Sequence, residues 1–345
     1  MHGTATYRDK VNIHLVDLHK SNYIFCKFKI FGLLIQKDLI YCLFLFCINK
    51  VYKMTEKILK ILIPVDFSVN TINTCKYAVN LINKENTEIH IFHILPDGLM
   101  VPDSSFPAGI DTDAFLNTEY LDNLRVSAKN NLAELIGIVK KEVNKSRNIN
   151  IKVTSSILSG DHEWEIVNIC KSFEPTFIVM GTKGEGNKNL LQGSMAKKIM
   201  KKVDIPVIAV PEKSKITIPN NILYATNFSE FDYSKIMLIF NILKRFDIKI
   251  HVTHFQMHDN IIESQRKMEN LKEKLKEQRR DATILFNIVD SKNKNLSLST
   301  FCDEFEIDTI SFISYSSNIF HYLFTNEMHK KDFFMLDLPM LALHE

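Results

Sequence analysis

Lys60-Ile61-Leu62-Ile63-Pro64-Val65-Asp66-Phe67-Ser68 and Asn221-Ile222-Leu223-Tyr224-Ala225-Thr226-Asn227-Phe228-Ser229 share one pattern: an apolar run, an acidic or amide residue, then Phe-Ser. They lie 161 positions apart, and the same offset pairs Ile89-His90-Ile91-Phe92-His93 with Ile250-His251-Val252-Thr253-His254. Near the end of each copy, Ile205-Pro206-Val207-Ile208-Ala209-Val210 matches Leu338-Pro339-Met340-Leu341-Ala342-Leu343, now at an offset of 133. A repeat on this scale is one folding unit used twice. The fall in offset gives the first copy 28 extra residues, and the Pro- and Gly-containing stretch Pro96–Thr112 is the natural place for most of them.

Within each copy, short β-branched runs alternate with helical patterns. Strands are expected at 59–65, 88–95, 149–157, 176–180 and 206–210, and again at 221–226, 247–255, 281–289, 308–314 and 339–343. Helices fill the gaps of the first copy at 69–83, 114–145, 162–173 and 193–203, with Ser68 or Asn70 as cap of the first and Ser194 at the start of the last. Strands alternating with helices imply an α/β fold with parallel sheets covered on both faces. The expected organisation is two tandem five-stranded domains, 54–212 and 213–345, joined near Pro211–Pro219.

Composition excludes several classes. With 46% hydrophobic and 24% charged residues, the 345-residue chain is neither disordered nor a polytopic membrane protein. A net charge of +3 gives no electrostatic footprint for nucleic acid. Residues 1–53 differ from the rest: they carry eight Lys/Arg against three Asp/Glu, and their apolar stretch Leu39–Ile48 is ten residues. That is half of the roughly 20 needed to span a bilayer, so no stable membrane span is expected. Met54, directly before the first strong strand, is the expected natural start, with 1–53 an atypical leader. Cys75, Cys170 and Cys302 are far apart and show no zinc spacing, which suits buried thiols in a reducing cytoplasm. The expected localisation is cytoplasmic.

In an open α/β sheet, ligands bind beyond the carboxyl ends of the strands, where strand order reverses. Two segments occupy such ends in the first copy: Pro64-Val65-Asp66-Phe67-Ser68 after strand one, and Gly181-Thr182-Lys183-Gly184-Glu185-Gly186 after strand four, followed by Gly193-Ser194 and a helix. Four of the ten glycines fall within these thirteen residues. Two readings stand: a set of tight turns, or bare backbone that phosphate oxygens approach, helped by the helix N-terminus at Ser194. Asp66 likewise reads as a turn or cap residue, or as an acceptor for a ribose hydroxyl or base edge. The P-loop pattern fails, because Asn187-Lys188-Asn189 follows Gly186. The Rossmann pattern fails for want of a glycine at 189.

These motifs resemble the universal stress protein family, whose signature pairs Pro-x-Asp-x-Ser after the first strand with Gly-x-x-Gly, nine residues and Gly-Ser/Thr after the fourth. Pro64, Asp66 and Ser68 match the first part, and Gly181, Gly184, Gly193 and Ser194 the second. The resemblance covers 54–345 as two fused copies. It implies a parallel sheet ordered 3-2-1-4-5, of the adenine nucleotide α-hydrolase-like type, which sets strand one beside strand four. It further implies ATP or another adenine nucleotide as ligand, with Mg2+ as its companion ion. By position, Asp66 and Ile94 would hold the adenosine end; Gly181, Gly184, Gly193 and Ser194 would cradle the phosphates, with the Met195 amide nearby. The family's fifth strand commonly forms a dimer contact, so 206–210 and 339–343 are expected to pair as an intramolecular pseudo-dimer, and a homodimer is a further option. The implied role is a stress-responsive regulator or sensor; the alternative is a protein-interaction scaffold of the same fold. One departure stands out: eight residues, not nine, separate Gly184 from Gly193.

The second copy has no glycine from Lys213 to Glu345. Counting back from the closing proline, Gly181 falls on Ser314, Gly184 on Ser317, Gly193 on Asn326 and Ser194 on Glu327, while Asp66 falls on Asn227. A polyphosphate should not bind there. His93 and His254 lie in different copies and read as strand-end hydrogen-bonding residues rather than metal ligands. Lys197, Lys198, Lys201 and Lys202 read as a solvent face. No nucleophile, paired carboxylates or metal cluster suggests catalysis, and any hydrolysis is expected to be slow. An enzyme of the wider α-hydrolase type would need a Ser-Gly-Gly-rich loop after strand one, which Phe67-Ser68-Val69-Asn70 is not.

Overall fold

The computed structural model describes residues 58–82, 86–96, 112–145, 150–182, 194–243, 246–256, 261–276, 283–290, 294–314 and 336–345. The leader and the expected start at Met54 therefore lie outside the described residues. From Ile58 to Glu345 the chain forms one compact unit.

Ten strands build a single sheet: β1 (Leu59–Val65), β2 (Asn86–Leu95), β3 (Asn150–Ser159), β4 (Phe177–Gly181), β5 (Val207–Val210), β6 (Asn221–Ala225), β7 (Lys249–Gln256), β8 (Thr283–Asp290), β9 (Thr309–Ser314) and β10 (Met340–His344). Their order is β3-β2-β1-β4-β5-β10-β9-β6-β7-β8. Each half therefore follows the expected 3-2-1-4-5. The halves are not separate sheets: β5 and β10 join antiparallel, with Ala209, Ile208 and Val207 opposite Met340, Leu341 and Ala342. Ile208 and Leu341 are equivalent positions facing each other, so the pairing is self-complementary about its centre, as in an isologous interface.

Among the described residues, seven helices cover the two faces: α1 (Thr71–Asn80), α2 (Thr112–Val143), α3 (His162–Phe173), α4 (Ser194–Lys202), α5 (Asp232–Ile242), α6 (Ile261–Lys276) and α7 (Lys294–Glu304). The strands are apolar on both sides because both sides are buried. In β1, Ile61 and Ile63 face the layer of α1, α2, α5 and α6. Leu62 between them faces α3, α4 and α7. Each core runs through both halves without a break at the β5–β10 junction. The helix α6 buries Met268, Leu271 and Leu275 on one stripe, as its periodicity predicts.

One expectation needs correction. α2 has 32 residues where α6 has 16, so the helix, and not the stretch Pro96–Thr112, carries the larger share of the first copy's excess.

Candidate functional site

β1 lies between β2 and β4, with Leu62 opposite Ile178. Three residues further along both strands stand Val65 and Gly181, so Asp66 leaves β1 beside the end of β4. This is the switch point of the first half. The Asp66 Oδ1 accepts the Ser68 backbone N–H at 3.0 Å and the Thr71 hydroxyl at 3.3 Å. Asp66 is thus the turn residue that its sequence context suggests, and it ties the strand end to the first turn of α1. Its Oδ2 has no partner among the described residues and keeps its acceptor capacity for a ligand hydroxyl.

Phe67 sits in the left-handed region at φ 58°, which an L-residue with a Cβ adopts at a cost of roughly 1–2 kcal/mol. Two contacts hold it. The His93 ring lies 4.4 Å from the Phe67 ring, and His93 Nδ1–H donates to the Val65 carbonyl at 2.8 Å. The carbonyl can only accept, which fixes the proton on Nδ1. The second copy repeats the device: Phe228 at φ 61°, His254 at 4.5 Å from its ring, and His254 Nδ1–H on the Thr226 carbonyl at 3.0 Å. The histidines are strand-end anchors, as expected. Among the described residues no group of three His, Cys, Asp or Glu is arranged to hold a metal ion.

Other expected site residues fall unevenly. Ile94 is only 4% exposed and its side chain belongs to the core under α3 and α4, so only its main chain is available to a ligand. Gly181 ends β4 opposite Val210. Ser194 opens α4, and Met195 packs partly against the same core. Gly184 and Gly193 lie outside the described residues. Of the four lysines on α4, Lys198 and Lys202 both grip Glu163 on α3, Lys198 at 2.8 Å. These contacts hold the Glu163 carboxyl below its usual range.

Asn70 escaped the sequence reading as a site residue. It occupies the N-cap position of α1 with helical dihedrals and makes no cap hydrogen bond, contrary to expectation. Its side chain is buried instead, and Nδ2 donates to the Val210 carbonyl at 2.8 Å, on the far side of β4. The buried Oδ1 has no hydrogen-bond partner. Asn70 therefore clamps the ends of β1 and β5 over β4, beside Gly181. An amide side chain two positions after Ser68 was the available signal, and Thr71, Asn73 and Thr74 beside it made it look ordinary.

In the second half the register differs from the count made from the closing proline. Gly181 pairs with Val210, and Ile313 pairs with Leu343. The counterpart of Gly181 is thus Ile313, not Ser314, because the second copy has one more residue between its fourth and fifth strands. The shifted count leaves the conclusion intact, since no glycine occurs there in either register.

The carboxylate has also moved. The equivalents of Val65, Asp66 and Thr71 are Thr226, Asn227 and Asp232. Asp232 is 1% exposed, and its Oδ1 accepts the Tyr224 hydroxyl at 2.8 Å. Its Oδ2 accepts the Thr226 hydroxyl, whose oxygen in turn accepts the Phe228 N–H at 2.8 Å. Burial pushes the Asp232 carboxyl up, against the lowering effect of these donors. The first half presents a half-exposed carboxylate at the strand end, and the second seals one under α5.

Residues 57–211 match the universal stress protein family. The match spans the first copy, just under half of the chain. Universal stress protein MJ0531 of Methanocaldococcus jannaschii is 26% identical over 172 residues, covering 49% of this chain and 92% of the relative. Universal stress protein MJ0577 of the same organism is 28% identical over 163 residues, covering 45% of this chain and 96% of the relative. Both matches are about one copy long. A universal stress protein structure from Archaeoglobus fulgidus aligns with 83% of this chain and 96% of its own, at TM-score 0.58 and 16% identity. That similarity concerns the fold, and it spans both halves of the sheet. Among the described residues, no helix of the chain is long and apolar enough to cross a membrane.

Proposed function

We propose that the first copy binds ATP or a related adenine nucleotide, one per chain, and that the protein acts as a stress-responsive regulator. The observation that carries this reading is the asymmetry at the two switch points. The first has Asp66 with an unused oxygen beside Gly181 and a glycine-rich stretch leading to α4. The second has a sealed Asp232 and Ile313 in place of the glycine. In this reading Asp66 takes a ribose hydroxyl and the backbone from Gly181 to Met195 takes the phosphates. Mg2+ would be held by those phosphates, since no protein cluster among the described residues offers itself. The second copy serves as a fused partner, making the chain an intramolecular pseudo-dimer. No residue is assigned a catalytic role, and the proposed setting is the cytoplasm.

Titration calorimetry with ATP tests the proposal. One equivalent per chain is expected, abolished by Gly184→Val; two equivalents contradict the asymmetry. Absence of binding at millimolar ATP would favour a scaffold of the same fold, a reading favoured by the eight-residue spacing between Gly184 and Gly193.

A further inference from the structure

The two ends of the sheet are equivalent by the repeat, yet they differ in chemistry. β3 closes one end and β8 the other, and among the described residues no strand lies beyond either. Each presents an outer row of backbone N–H and C=O groups, which is a template for another strand unless the edge is protected. β3 is protected. Lys152 stands on it in an ion pair with Glu88 at 2.7 Å, and Thr154 and Ser156 turn their hydroxyls to His90 at 2.8 and 2.9 Å.

β8 has lost each of these features. On the ladder, Leu285 stands opposite His251 where Thr154 stands opposite His90, and Phe286 replaces Ser155. Its only charge is the terminal Asp290, and it contains no proline. The exchange has an internal cost: His251 is 3% exposed and its Nδ1 has no hydrogen-bond partner, whereas both nitrogens of His90 are bonded. Leu285, by contrast, is 38% exposed. Along this edge, β8 and α7 form a cleft of about 610 Å³ lined by Phe286, Ile288, Val289, Phe301 and Phe305, with Glu304 on its rim.

The charges around the cleft break a local rule. A helix favours acids at its N-terminus and bases at its C-terminus. The equivalent helix α3 obeys, with Asp161 capping the Trp164 N–H at 2.9 Å, Glu163 and Glu165 in the first turn and Lys171 in the last. α7 reverses the pattern: Lys294 opens it, Asp303 and Glu304 end it, and Glu306 follows. Asp303, Glu304 and Glu306 are exposed and in no ion pair among the described residues. Local choices that oppose the fold are expected where a surface has another use.

We infer that the outer edge of β8 is a docking edge for an extended partner segment that adds as an eleventh strand, with apolar residues at alternate positions and Lys or Arg at the ends of that same row, so that both face α7. The backbone row supplies the ladder, the phenylalanine cleft takes the alternate apolar side chains, and the acids at the end of α7 take the bases. This is strand addition with side-chain selection. The acidic rim decides the sign of the partner's charge.

The test uses the full chain and a fluorescein-labelled heptapeptide Lys-Thr-Val-Thr-Val-Thr-Lys, whose Val and Lys side chains share one face, followed by anisotropy. Two control peptides accompany it: the same sequence N-methylated at alternate residues, which cannot complete a ladder, and a Val–Glu counterpart. Saturable binding of the Val–Lys peptide is expected, at least tenfold weaker for both controls. Glu304→Lys is exposed enough to leave folding intact and should weaken binding about fivefold, the upper range for one surface ion pair. Asp122→Lys, on the far helix α2, should change nothing. The inference is overturned by absent saturation, by equal binding of the N-methylated peptide, or by an undiminished Glu304→Lys variant. It is also overturned if sedimentation without peptide shows a dimer that Leu285→Lys converts to monomer, because a second copy would then be the occupant.

Discussion

Asp66 separates two roles that one side chain can play, and a pair of substitutions reads them independently. In the structure Oδ1 serves the turn, accepting from the Ser68 N–H and the Thr71 hydroxyl, while Oδ2 is unused. Asp66→Asn keeps an Oδ1 acceptor for both turn bonds and replaces Oδ2 with an NH2 group, which cannot accept a ribose hydroxyl. A hydrogen bond to a charged group contributes roughly 1.5–3 kcal/mol. Its loss should weaken ATP binding about 10- to 100-fold, with little change in thermal stability. Asp66→Ala removes the turn bonds as well, and loss of such a cap costs roughly 0.5–2 kcal/mol. The two variants should therefore bind ATP about equally poorly but melt apart, as measured by calorimetric titration and differential scanning calorimetry. If Asp66→Asn binds ATP as the parent does, the carboxylate is a turn residue alone. If it melts as early as Asp66→Ala, the assignment of Oδ1 to the turn is wrong.

The β5–β10 junction should be energetically central: Leu341 is 2% exposed opposite Ile208, and Leu341→Ala should cost about 2–5 kcal/mol in urea unfolding. Asp232 should give a signature in pH. Burial raises its folded pKa, so its contribution to stability is fully present below the ordinary carboxylate pKa and is lost as pH rises through the folded value. The stability of the parent relative to Asp232→Asn should therefore fall as pH is raised from about 4, and a flat difference would contradict the raised pKa. The thiols of Cys75, Cys170 and Cys302 are buried and pushed up to about 12. Peptide mapping after maleimide treatment should find these three unlabelled in native protein and labelled in urea.

Much of the fold was legible because burial on both faces forces the strands into continuous apolar runs and the repeat gives each run twice, while the strand order came from the family resemblance. The junction was expected from the same resemblance, whose fifth strand commonly forms a dimer contact, and Pro206–Val210 and Pro339–Leu343 are that strand written twice. Three things were not. The place of the first copy's excess was hidden because the helix expected at 114–145 shows as an excess only when its length is set beside that of its counterpart α6. The register of Ile313 was hidden because a closing proline anchors only the strand it precedes, and an extra residue between the strands is invisible from that side. The relocated carboxylate was hidden for a different reason. Asp232 sits at a helix start, where acids are ordinary, and only the fold shows it buried against Tyr224 and Thr226. At the candidate site, Asp66 and Gly181 were legible by motif. Asn70 was not, because its partner Val210 lies 140 positions away.

The two halves keep the left-handed phenylalanine and its histidine while differing in the residues a nucleotide would touch. That dissociates the device from ligand binding. A strained residue kept only for a ligand would be expected to relax in the half that lacks one, yet Phe67 and Phe228 agree within 3° in φ. The Phe–His anchor therefore belongs to the fold, setting the angle at which the chain leaves the sheet, and in the proposed function the ligand chemistry is added by the flanking carboxylate and the glycines after β4. The consequence can be tested by moving the carboxylate back. Asn227→Asp combined with Asp232→Thr rebuilds the first half's turn in the second, with the new carboxylate at position 227 placed to accept from the Ser229 N–H. Since Ile313 still stands where Gly181 does and the stretch after β9 has no glycine, the double variant should still bind one ATP per chain. Its fold should survive, because the Phe228–His254 anchor is untouched and a hydroxyl replaces a buried acid. A second equivalent of ATP would mean that the strand-end carboxylate, and not the bare backbone after β4, is the limiting element.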